Sequence, residues 1–504
     1  MRHRASILTL ALAVVLPACS DIGDDPADRP PNVLFIAVDD MNDWIGALGG
    51  YAGTVHTPNI DRLAAQGMLF TNAHTAAVSC NPSRTALLTG KRPSTSGAYA
   101  NATIWREQPG MGTVVTLPAH FRANGYRTMG SGKIFHALSW LNGSYGRDHN
   151  DVGAWDEFWP SPDQQMPETR FPIGATKTFD DDGFWQWRWD RVAAGQDAGT
   201  APPYYMDWGG LEGSQSELFA DEKVAAWAVE QISNATTEPF FLAVGIFRPH
   251  IPWFVPQTYM DLYPLEDIAL PEVPPDWQAG LPEAGRMMGQ ERREWHEWIV
   301  ANGEWRNAVR AYLASISFAD AQVGKLLDAL DASGNSDNTI IVLWSDHGFQ
   351  LGERETWEKF TLWEESTRVP FIIVAPGVTT PGSTFDAPVD LMSVYPTLVE
   401  LAGLPSPASA LEGESIGPWL ADPSLPKGTP AISSESAGNH AVRSQRWRYI
   451  RYRDGSEELY DHDTDSAERR NLAGDPALAA TRARLAAWLE PILASEAARD
   501  SAPR

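Results

Sequence analysis

Four short apolar runs, rich in branched and aromatic residues, recur along the chain, and each ends in polar or turn-forming residues. Continuous runs of this length are typical of strands that are buried on both faces of a parallel sheet. Segments with helical periodicity lie between them, among them NIDRLAAQGMLF and the longer NAVRAYLASISFADAQVGKLLDALDASG. This alternation predicts an α/β fold with a large, mostly parallel sheet flanked by helices. The four runs are PNVLFIAVDD, EPFFLAVGIFRPH, NTIIVLWSDHG and VPFIIVAPG.

The pattern changes near the C-terminus, in HAVRSQRWRYIRYRDGSEELYDHDTD, which has a turn at Asp454 and Gly455. The helical segment PALAATRARLAAWLEPILASEAA follows it. Short β-type runs joined by a turn are typical of an antiparallel hairpin. We therefore predict a main domain over residues 32–428 and a C-terminal subdomain over 429–504, a small antiparallel sheet with a terminal helix.

Residues 140–210 form an insertion rich in tryptophan, with Gly, Pro and Asp between the aromatic residues. A long insertion of this composition is more typical of a binding loop than of a regular element. Aromatic faces suit sugar rings, but the same side chains could equally pack against their own domain. The aromatic residues include Trp155, Trp159, Trp185, Trp187, Trp189, Tyr204, Tyr205 and Trp208.

The N-terminus has the pattern of an export signal over residues 1–19, with a basic start and an apolar run too short to span a bilayer. Its end, Leu16-Pro17-Ala18-Cys19, is similar to a bacterial lipobox, with Pro17 as an unusual member. We predict that Cys19 is lipidated, which makes the chain a periplasmic or cell-surface lipoprotein anchored to a bacterial membrane. Signal cleavage without a lipid is the alternative. Residues 20–31 then form a flexible leash.

The net charge and the cysteine content limit the functions that the chain could have. The 65 acidic and 39 basic residues give a net charge of −26, which argues against nucleic acid as a partner. An anionic substrate would therefore need a locally basic pocket. Only two cysteines are present, and if Cys19 is processed, Cys80 has no disulfide partner. A lone thiol in an oxidising compartment is either buried and unreactive or takes part in the chemistry of the protein.

Acidic residues follow two of the predicted strands. Asp39 and Asp40 follow the first run, and Asp346 and His347 follow the third. A single aspartate pair could be a helix cap or a solvated loop, but carboxylates that meet at one sheet edge repel each other unless a cation lies among them. Oxygen ligands suit Ca²⁺ or Mg²⁺ better than zinc.

Basic and protonatable residues follow predicted strands or lie in Gly-flanked turns. Singly, each is explained as a surface charge or a satisfied histidine. Together they indicate a pocket that holds an anionic group through charge-assisted hydrogen bonds. These residues are Arg84, Lys133, His136, Arg248, His250 and Lys359.

The segment CNPSRTALLTGKRP resembles the signature of type I, formylglycine-dependent sulfatases of the alkaline phosphatase superfamily. The resemblance extends over nearly the whole mature chain, and GKIFH, RPHIPWFVPQTYMDLYPLEDIALP and SDHGFQLGE are similar to the iduronate-2-sulfatase branch. It implies hydrolysis of a sulfate ester on a carbohydrate, such as a sulfated uronic acid of a polysaccharide.

The resemblance also implies a modified nucleophile and a metal site. A formylglycine-generating enzyme would oxidise Cys80 to Cα-formylglycine, whose hydrated gem-diol attacks sulfur and forms a sulfoenzyme intermediate. Asp39, Asp40, Asp346 and His347, with the modified Cys80, would bind Ca²⁺ in preference to Mg²⁺. His347 stands where most sulfatases have Asn, and the iduronate-type branch has His.

The remaining roles follow from the same resemblance. Lys133 and Lys359 would bind sulfate oxygens. His136 would bind the gem-diol and act as base in its collapse, and Arg84 would contact the aldehyde hydrate. His250, helped by Lys359, would protonate the leaving sugar oxygen. Recognition of a uronate is left open between Arg248 and a basic residue of the insertion such as Arg188.

Three other functions compete with the sulfatase hypothesis. The first is a phosphonate or phosphodiester hydrolase of the same superfamily, which turnover on phosphate and sulfate esters would distinguish. The second is a non-catalytic glycan-binding protein, which the mass of the Cys80 peptide would test. The third is an unrelated α/β hydrolase with an inert thiol, which leaves the acidic strand ends and the basic pocket unexplained.

Overall fold

The computed structural model describes residues 29–137, 147–160, 206, 208–211 and 219–501. Within these ranges the strands are β1 (Asn32–Val38), β2 (Met68–Phe70), β3 (Ala73–His74), β4 (Arg127–Gly132), β5 (Glu157–Trp159), β6 (Trp208–Leu211), β7 (Phe240–Ile246), β8 (Trp253–Pro256), β9 (Thr339–Ser345), β10 (Gln350–Leu351), β11 (Trp357–Glu358), β12 (Phe371–Val374), β13 (Ser383–Phe385), β14 (Val389–Asp390), β15 (Ala431–Ser436), β16 (Asn439–Arg443), β17 (Trp447–Arg451) and β18 (Glu457–Asp461).

The main sheet has eight strands in the order β13-β2-β12-β9-β1-β7-β4-β5. The strands from β9 to β5 are mutually parallel, and β2 pairs in parallel with β13. Strand β12, formed by the fourth apolar run, is antiparallel to both β9 and β2. The predicted large, mostly parallel sheet is therefore confirmed, with β12 as the strand that runs the other way.

Strand β1 is the centre of this sheet because both of its faces are apolar. Leu34, Ile36 and Val38 pack into one hydrophobic cluster. The alternate residues Val33, Phe35 and Ala37 pack into the cluster on the opposite face. Burial on both faces explains why the run is continuously apolar rather than alternating.

Helices cover both faces, and the longest, Trp305–Ser333, buries residues such as Leu313, Ile316 and Leu327 in the same cluster as Leu34. The helices of five or more residues are Pro58–Gln66, Cys80–Thr89, Leu117–Ala123, Ala220–Ser233, Glu283–Met287, Arg293–Ala301, Trp305–Ser333, Val394–Leu401, Gly417–Ala421, Ala479–Ala486 and Glu490–Ser501.

Near the C-terminus, β15 to β18 form a four-stranded antiparallel sheet in chain order. Val442, Tyr449 and Leu459 of this sheet pack against Leu485 and Leu489 of the terminal helical region. The predicted small sheet with a terminal helix is thus confirmed. Its proposed boundary at residue 429 stays a prediction.

Other predictions fall outside the described residues. These are the signal and lipobox of residues 1–19, most of the 20–31 leash, and most of the 140–210 insertion. Among the described residues, none of the helices combines the length and apolar character needed to cross a membrane.

Candidate active site

The register of the central strands brings the acidic strand ends together. Val38 pairs with Ile246 of β7 and with Ser345 of β9, so all three strands end at one level. The backbone N–H of Asp39 donates to the Ile246 carbonyl at 3.0 Å, and that of Asp40 donates to Asp346 Oδ1 at 3.1 Å. The carboxylates of these neighbouring strands therefore share one edge of the sheet.

Cys80 begins the helix Cys80–Thr89 and is fully buried beside this edge. Its sulfur lies 3.2 Å from His347 Nε2 and 4.0 Å from Asp40 Oδ1. The Sγ atom stands where the oxygens of a modified residue would lie. Burial raises the pKa of the Cys80 thiol above its ordinary value, so the unmodified side chain is a poor nucleophile.

Arg84, one turn further along this helix, connects the acidic residues. Its guanidinium donates to Asp39 Oδ1 and to Asp346 Oδ2, each at 2.8 Å, and all three side chains are fully buried. It also donates to the backbone carbonyls of Lys133 and Ile134. Although burial opposes ionisation of Asp346, Arg84 holds the pKa of that carboxyl well below its usual range.

Two lysines complete the positive charge around the aspartates. Lys133 Nζ lies 2.5 Å from Asp39 Oδ2. Lys359 Nζ lies 2.7 and 2.8 Å from the two oxygens of Asp40. The residues on either side of Lys359, Glu358 and Phe360, both have positive φ angles, 68° and 75°, so a strained loop presents this lysine to the site.

Two histidines turn their Nε2 atoms toward the carboxylates. His347 Nδ1 donates to the Gly348 carbonyl at 3.0 Å, and His250 Nδ1 donates to the Ile251 carbonyl at 2.6 Å. Because a carbonyl can only accept, Nε2 carries the lone pair in each neutral ring. His347 Nε2 lies 3.4 Å from Asp40 Oδ1, and His250 Nε2 lies 3.9 Å from Asp40 Oδ2.

His136 and Arg248 lie around this cluster of aspartates, lysines and histidines. His136 is buried, with its ring centroid 6.3 Å from that of His149, and burial together with Lys133 lowers its pKa well below the usual value. Arg248 donates to the carbonyls of Phe254 at 3.1 Å and His250 at 3.3 Å. These contacts hold the loop that carries His250, and the predicted uronate contact of Arg248 stays a prediction.

The donor set fits a hard divalent cation. Ligand atoms of Asp40, Cys80 and His347 lie within 4.8 Å of one another, and so do those of Asp39, Cys80 and Asp346. Burial raises the pKa of Asp40 to about 8 despite Lys359, so this carboxyl needs further positive charge to ionise at neutral pH. Burial also lowers the pKa of His347 to about 4, which keeps its imidazole neutral, as a ligand must be.

The structure also reveals supporting contacts made by residues to which the sequence analysis gave no role. Thr75 and Ser83 hydroxyls each donate to the Asp346 carbonyl at 2.6 Å. The Tyr312 hydroxyl donates to the Asp40 carbonyl at 2.8 Å. Ser83 follows Cys80 by three residues on one helix and could have been found from that spacing. Tyr312 lies in the middle of a distant helix, and no local pattern points to it.

Two family models match the chain, one over most of the main domain and one over the C-terminal region. Residues 31–404 match the family model described as Sulfatase. Residues 352–494 match the model described as N-sulphoglucosamine sulphohydrolase, C-terminal. The two matches together include the main sheet and all four strands of the C-terminal sheet.

Curated relatives and a solved structure agree with these matches. A protein of Formosa agariphila named sulfatase is 39% identical over 450 residues, covering 88% of this chain and 83% of that protein. Human iduronate 2-sulfatase is 32% identical over 415 residues, covering 75% and 70%. The phosphonate monoester hydrolase of Agrobacterium radiobacter has the same fold, with a TM-score of 0.72 at 21% identity over 92% and 96% of the two chains.

Proposed function

Because the chain belongs to the sulfatase family and is a sulfuric ester hydrolase, we propose that it removes sulfate from a sugar unit of a sulfated carbohydrate. The observation that carries the proposal is the convergence of three carboxylates, two lysines and two histidines around one fully buried cysteine. A poor thiol nucleophile in such a setting is explained if Cys80 is oxidised to formylglycine before it acts.

The metal would be held by Asp39, Asp40, Asp346 and His347 together with the modified Cys80. Ca²⁺, in preference to Mg²⁺, would supply positive charge for the sulfate oxygens and the attacking hydroxyl. Arg84 fixes Asp39 and Asp346 in position for this purpose, since it bridges both carboxylates. The Gly348 carbonyl orients the His347 ring, so that Nε2 would be available to hold the cation.

Proton transfer would fall to two histidines of the site, His136 and His250. The hydrated aldehyde supplies one hydroxyl as nucleophile and a second whose deprotonation expels the sulfate. His136 is neutral at neutral pH because its pKa is low, so it can accept that proton. His250 presents Nε2 to the site and, when both ring nitrogens are protonated, would protonate the leaving sugar oxygen from Nε2, with Lys359 assisting.

The substrate class is inferred from the relatives. The human relative is named for an iduronate sulfate, and this chain covers 70% of that protein. We therefore propose a sulfated uronic acid or a related sugar of a polysaccharide as substrate. Lys133 and Lys359 would bind the sulfate oxygens, and Arg248 would support the sugar side of the pocket.

Export and lipidation form a separate part of the proposal. The basic start, the short apolar run and the Leu16–Cys19 segment support cleavage before Cys19 and attachment of lipid to it. The mass of the mature N-terminal peptide from a bacterial host tests this. A peptide that starts at Cys19 with a diacylglyceryl mass supports the anchor, and a peptide that starts elsewhere without lipid contradicts it.

The first experiment is mass spectrometry of the Cys80 peptide, from protein produced with a formylglycine-generating enzyme, together with sulfate release from sulfated uronate oligosaccharides. We expect the aldehyde mass and release of sulfate, with Cys80→Ser as the inactive control. Turnover of phosphonate esters that exceeds turnover of sulfate esters would favour the phosphonate hydrolase instead. An unmodified thiol in fully active protein would overturn the mechanism.

A further inference from the structure

A cleft of 620 Å³ opens beside Lys359 and is not used by the chemistry above. One wall comes from residues 284–292 of the main domain, and the other comes from the C-terminal sheet. Phe360, which follows Lys359 directly, lies in the lining. The lining residues are Ala284, Met287, Met288, Gly289, Gln290, Arg292, Phe360, Glu435, Asn439, Arg453 and Asp454.

Backbone hydrogen bonds connect this cleft to the segment that carries the nucleophile. The Phe360 N–H donates to the Val78 carbonyl at 3.2 Å, and the Val78 N–H donates to the Ser434 carbonyl at 3.2 Å. Val78 lies two residues before Cys80, and Ser434 precedes Glu435 in the cleft wall. The cleft therefore lies beside the segment that leads into Cys80.

One side of the cleft is apolar enough to hold a sugar ring. Met287 is 53% exposed, the highest value among the large hydrophobic side chains of the described residues that are exposed. It lies with Met288, Ala284 and Phe360 in the same lining. Binding sites of this kind combine apolar walls with a few well-placed polar groups, and the C–H face of a pyranose ring suits such a wall.

Three of the four charged side chains that line the cleft already have hydrogen-bond or ion-pair partners within the protein. Arg292 stacks on the Phe360 ring at 4.7 Å and donates to Glu358 Oε2 at 3.0 Å, so a carboxylate already balances it. The two acidic residues in the lining are engaged locally: Glu435 accepts from Asn439 at 2.9 Å, and Asp454 accepts from Ser456 at 2.6 Å.

Arg453 is the remaining cation of the lining. Its stem lies against the turn at Gly438, where φ is +85° and an added Cβ would come within 3.0 Å of Arg453 Cβ and Cγ. Its backbone N–H donates to Asn439 Oδ1 at 2.8 Å. Within the part of the chain that the structure describes, the exposed guanidinium makes neither an ion pair nor a side-chain hydrogen bond.

We propose that this cleft binds the sugar unit next to the sulfated one, and that Arg453 binds an acidic group on that unit. The acidic group is a carboxylate or a second sulfate, since a guanidinium forms paired hydrogen bonds with either. The inference rests on the proposed function and extends it: the substrate is an anionic oligosaccharide rather than a free sugar sulfate.

The test compares Arg453→Gln with wild type on two substrates. One is a uronate 2-sulfate monosaccharide, and the other is a tetrasaccharide of sulfated uronate units with the same terminal unit, so that its second unit carries both a carboxylate and a sulfate. We expect kcat/KM for the tetrasaccharide to fall about tenfold, because one charge-assisted contact is lost, and kcat/KM for the monosaccharide to stay within about twofold. Arg484→Gln, an exposed arginine of the same subdomain outside the cleft, is the matched control.

A tetrasaccharide whose second unit alone is carboxyl-reduced separates the two acidic groups. If Arg453 binds a carboxylate, reduction weakens binding to wild type by about the same tenfold and leaves Arg453→Gln unaffected. If it binds a sulfate, reduction changes neither protein, and the variant still shows its loss. An equal loss on the monosaccharide, or no loss on either substrate, overturns the proposal.

Failure of the proposed function would look different. Wild type would then release sulfate from neither substrate, with Cys80 shown by mass spectrometry to be formylglycine. In that case, calorimetric binding of the same tetrasaccharide to the full chain still tests the cleft. Weaker binding by Arg453→Gln than by Arg484→Gln supports the inference, and equal binding contradicts it.

Discussion

At the scale of single residues, Arg84 is a side chain whose loss should cost much stability. It pairs with Asp39 and Asp346 where all three side chains are fully buried, so Arg84→Met deprives Asp346 of its arginine and leaves Asp39 with Lys133 alone. We expect the free energy of unfolding of the metal-free protein to fall by about 3–5 kcal/mol. Denaturant unfolding measures this.

Arg62→Met provides the matched control for that loss. Arg62 pairs with Asp328 at 2.7 Å, but both side chains are substantially exposed. Solvent screens such a pair, so its removal should change stability by no more than about 1 kcal/mol. Equal losses in the two variants would contradict the role of Arg84 as a buried bridge.

His250 allows a kinetic prediction. Its Nε2 faces the site while Nδ1 donates to Ile251, so His250→Gln removes a proton donor with little change in shape. We expect kcat on sugar sulfates to fall about 10²–10⁴-fold, but much less on nitrophenyl sulfate, whose leaving group needs no proton. His56→Gln, at an exposed position, is the control. A similar loss on both substrates would assign His250 to another role.

The sequence could predict much of the site because its chemistry lies in local segments. Asp39, Asp40, Asp346 and His347 each follow an apolar run, and parallel strands end at one edge. Contacts made from far away could not be predicted. Arg84 bridges two carboxylates, and Tyr312 reaches Asp40 from 272 residues along the chain. Only the folded register determines such contacts.

At the scale of elements, the existence of strands was easier to predict than their direction. The run VPFIIVAPG resembles the other three in composition, yet β12 is antiparallel to β9. Apolar character reports burial on both faces, which β12 shares, but it carries no information about direction. The short segment between β9 and β12 contains the β10–β11 hairpin, the loop of Lys359 and the helix Glu364–Thr367, and it leaves no long crossover helix for a parallel return.

The β10–β11 hairpin also gives a prediction about pH. Glu353 lies in its loop, and burial together with Glu365 raises the pKa of Glu353 to about 8. A carboxyl whose pKa is raised by folding stabilises the protein most at low pH, and that contribution is lost as the pH rises toward 8. Glu353→Gln should therefore gain in Tm relative to wild type as the pH rises from about 5 to about 8.

Thermal unfolding of both proteins across this pH range tests the hairpin. The difference between the two Tm values is the readout, because other groups titrate in both proteins alike. Glu238→Gln, at an exposed position outside the hairpin, should show a difference that stays near zero at every pH. A Glu353→Gln difference that shrinks with rising pH would show that the carboxyl is stabilised as the anion.

At the scale of the whole molecule, the net charge of the protein is negative, whereas the side chains that would bind the sulfated substrate are positive. The chain carries a net charge of −26, while the lysines and arginines that would meet sulfate are buried or lie in one cleft. Repulsion acts over a Debye length of about 10 Å at 0.1 M salt, whereas buried contacts are screened much less. The surface therefore opposes the approach of a polyanion, and the site binds it only after close contact.

Repulsion between the negative surface and a negative polymer predicts that added salt raises activity on the polymer. For an intact sulfated polyuronate, kcat/KM should rise as NaCl increases from about 0.05 to 0.5 M at fixed Ca²⁺, because salt screens the repulsion that limits encounter. Nitrophenyl sulfate carries one charge, so its kcat/KM should change by less than about twofold. A steep fall in activity on the polymer with added salt would instead show that an extended basic surface, rather than the local cleft at Arg453, guides the substrate to Cys80.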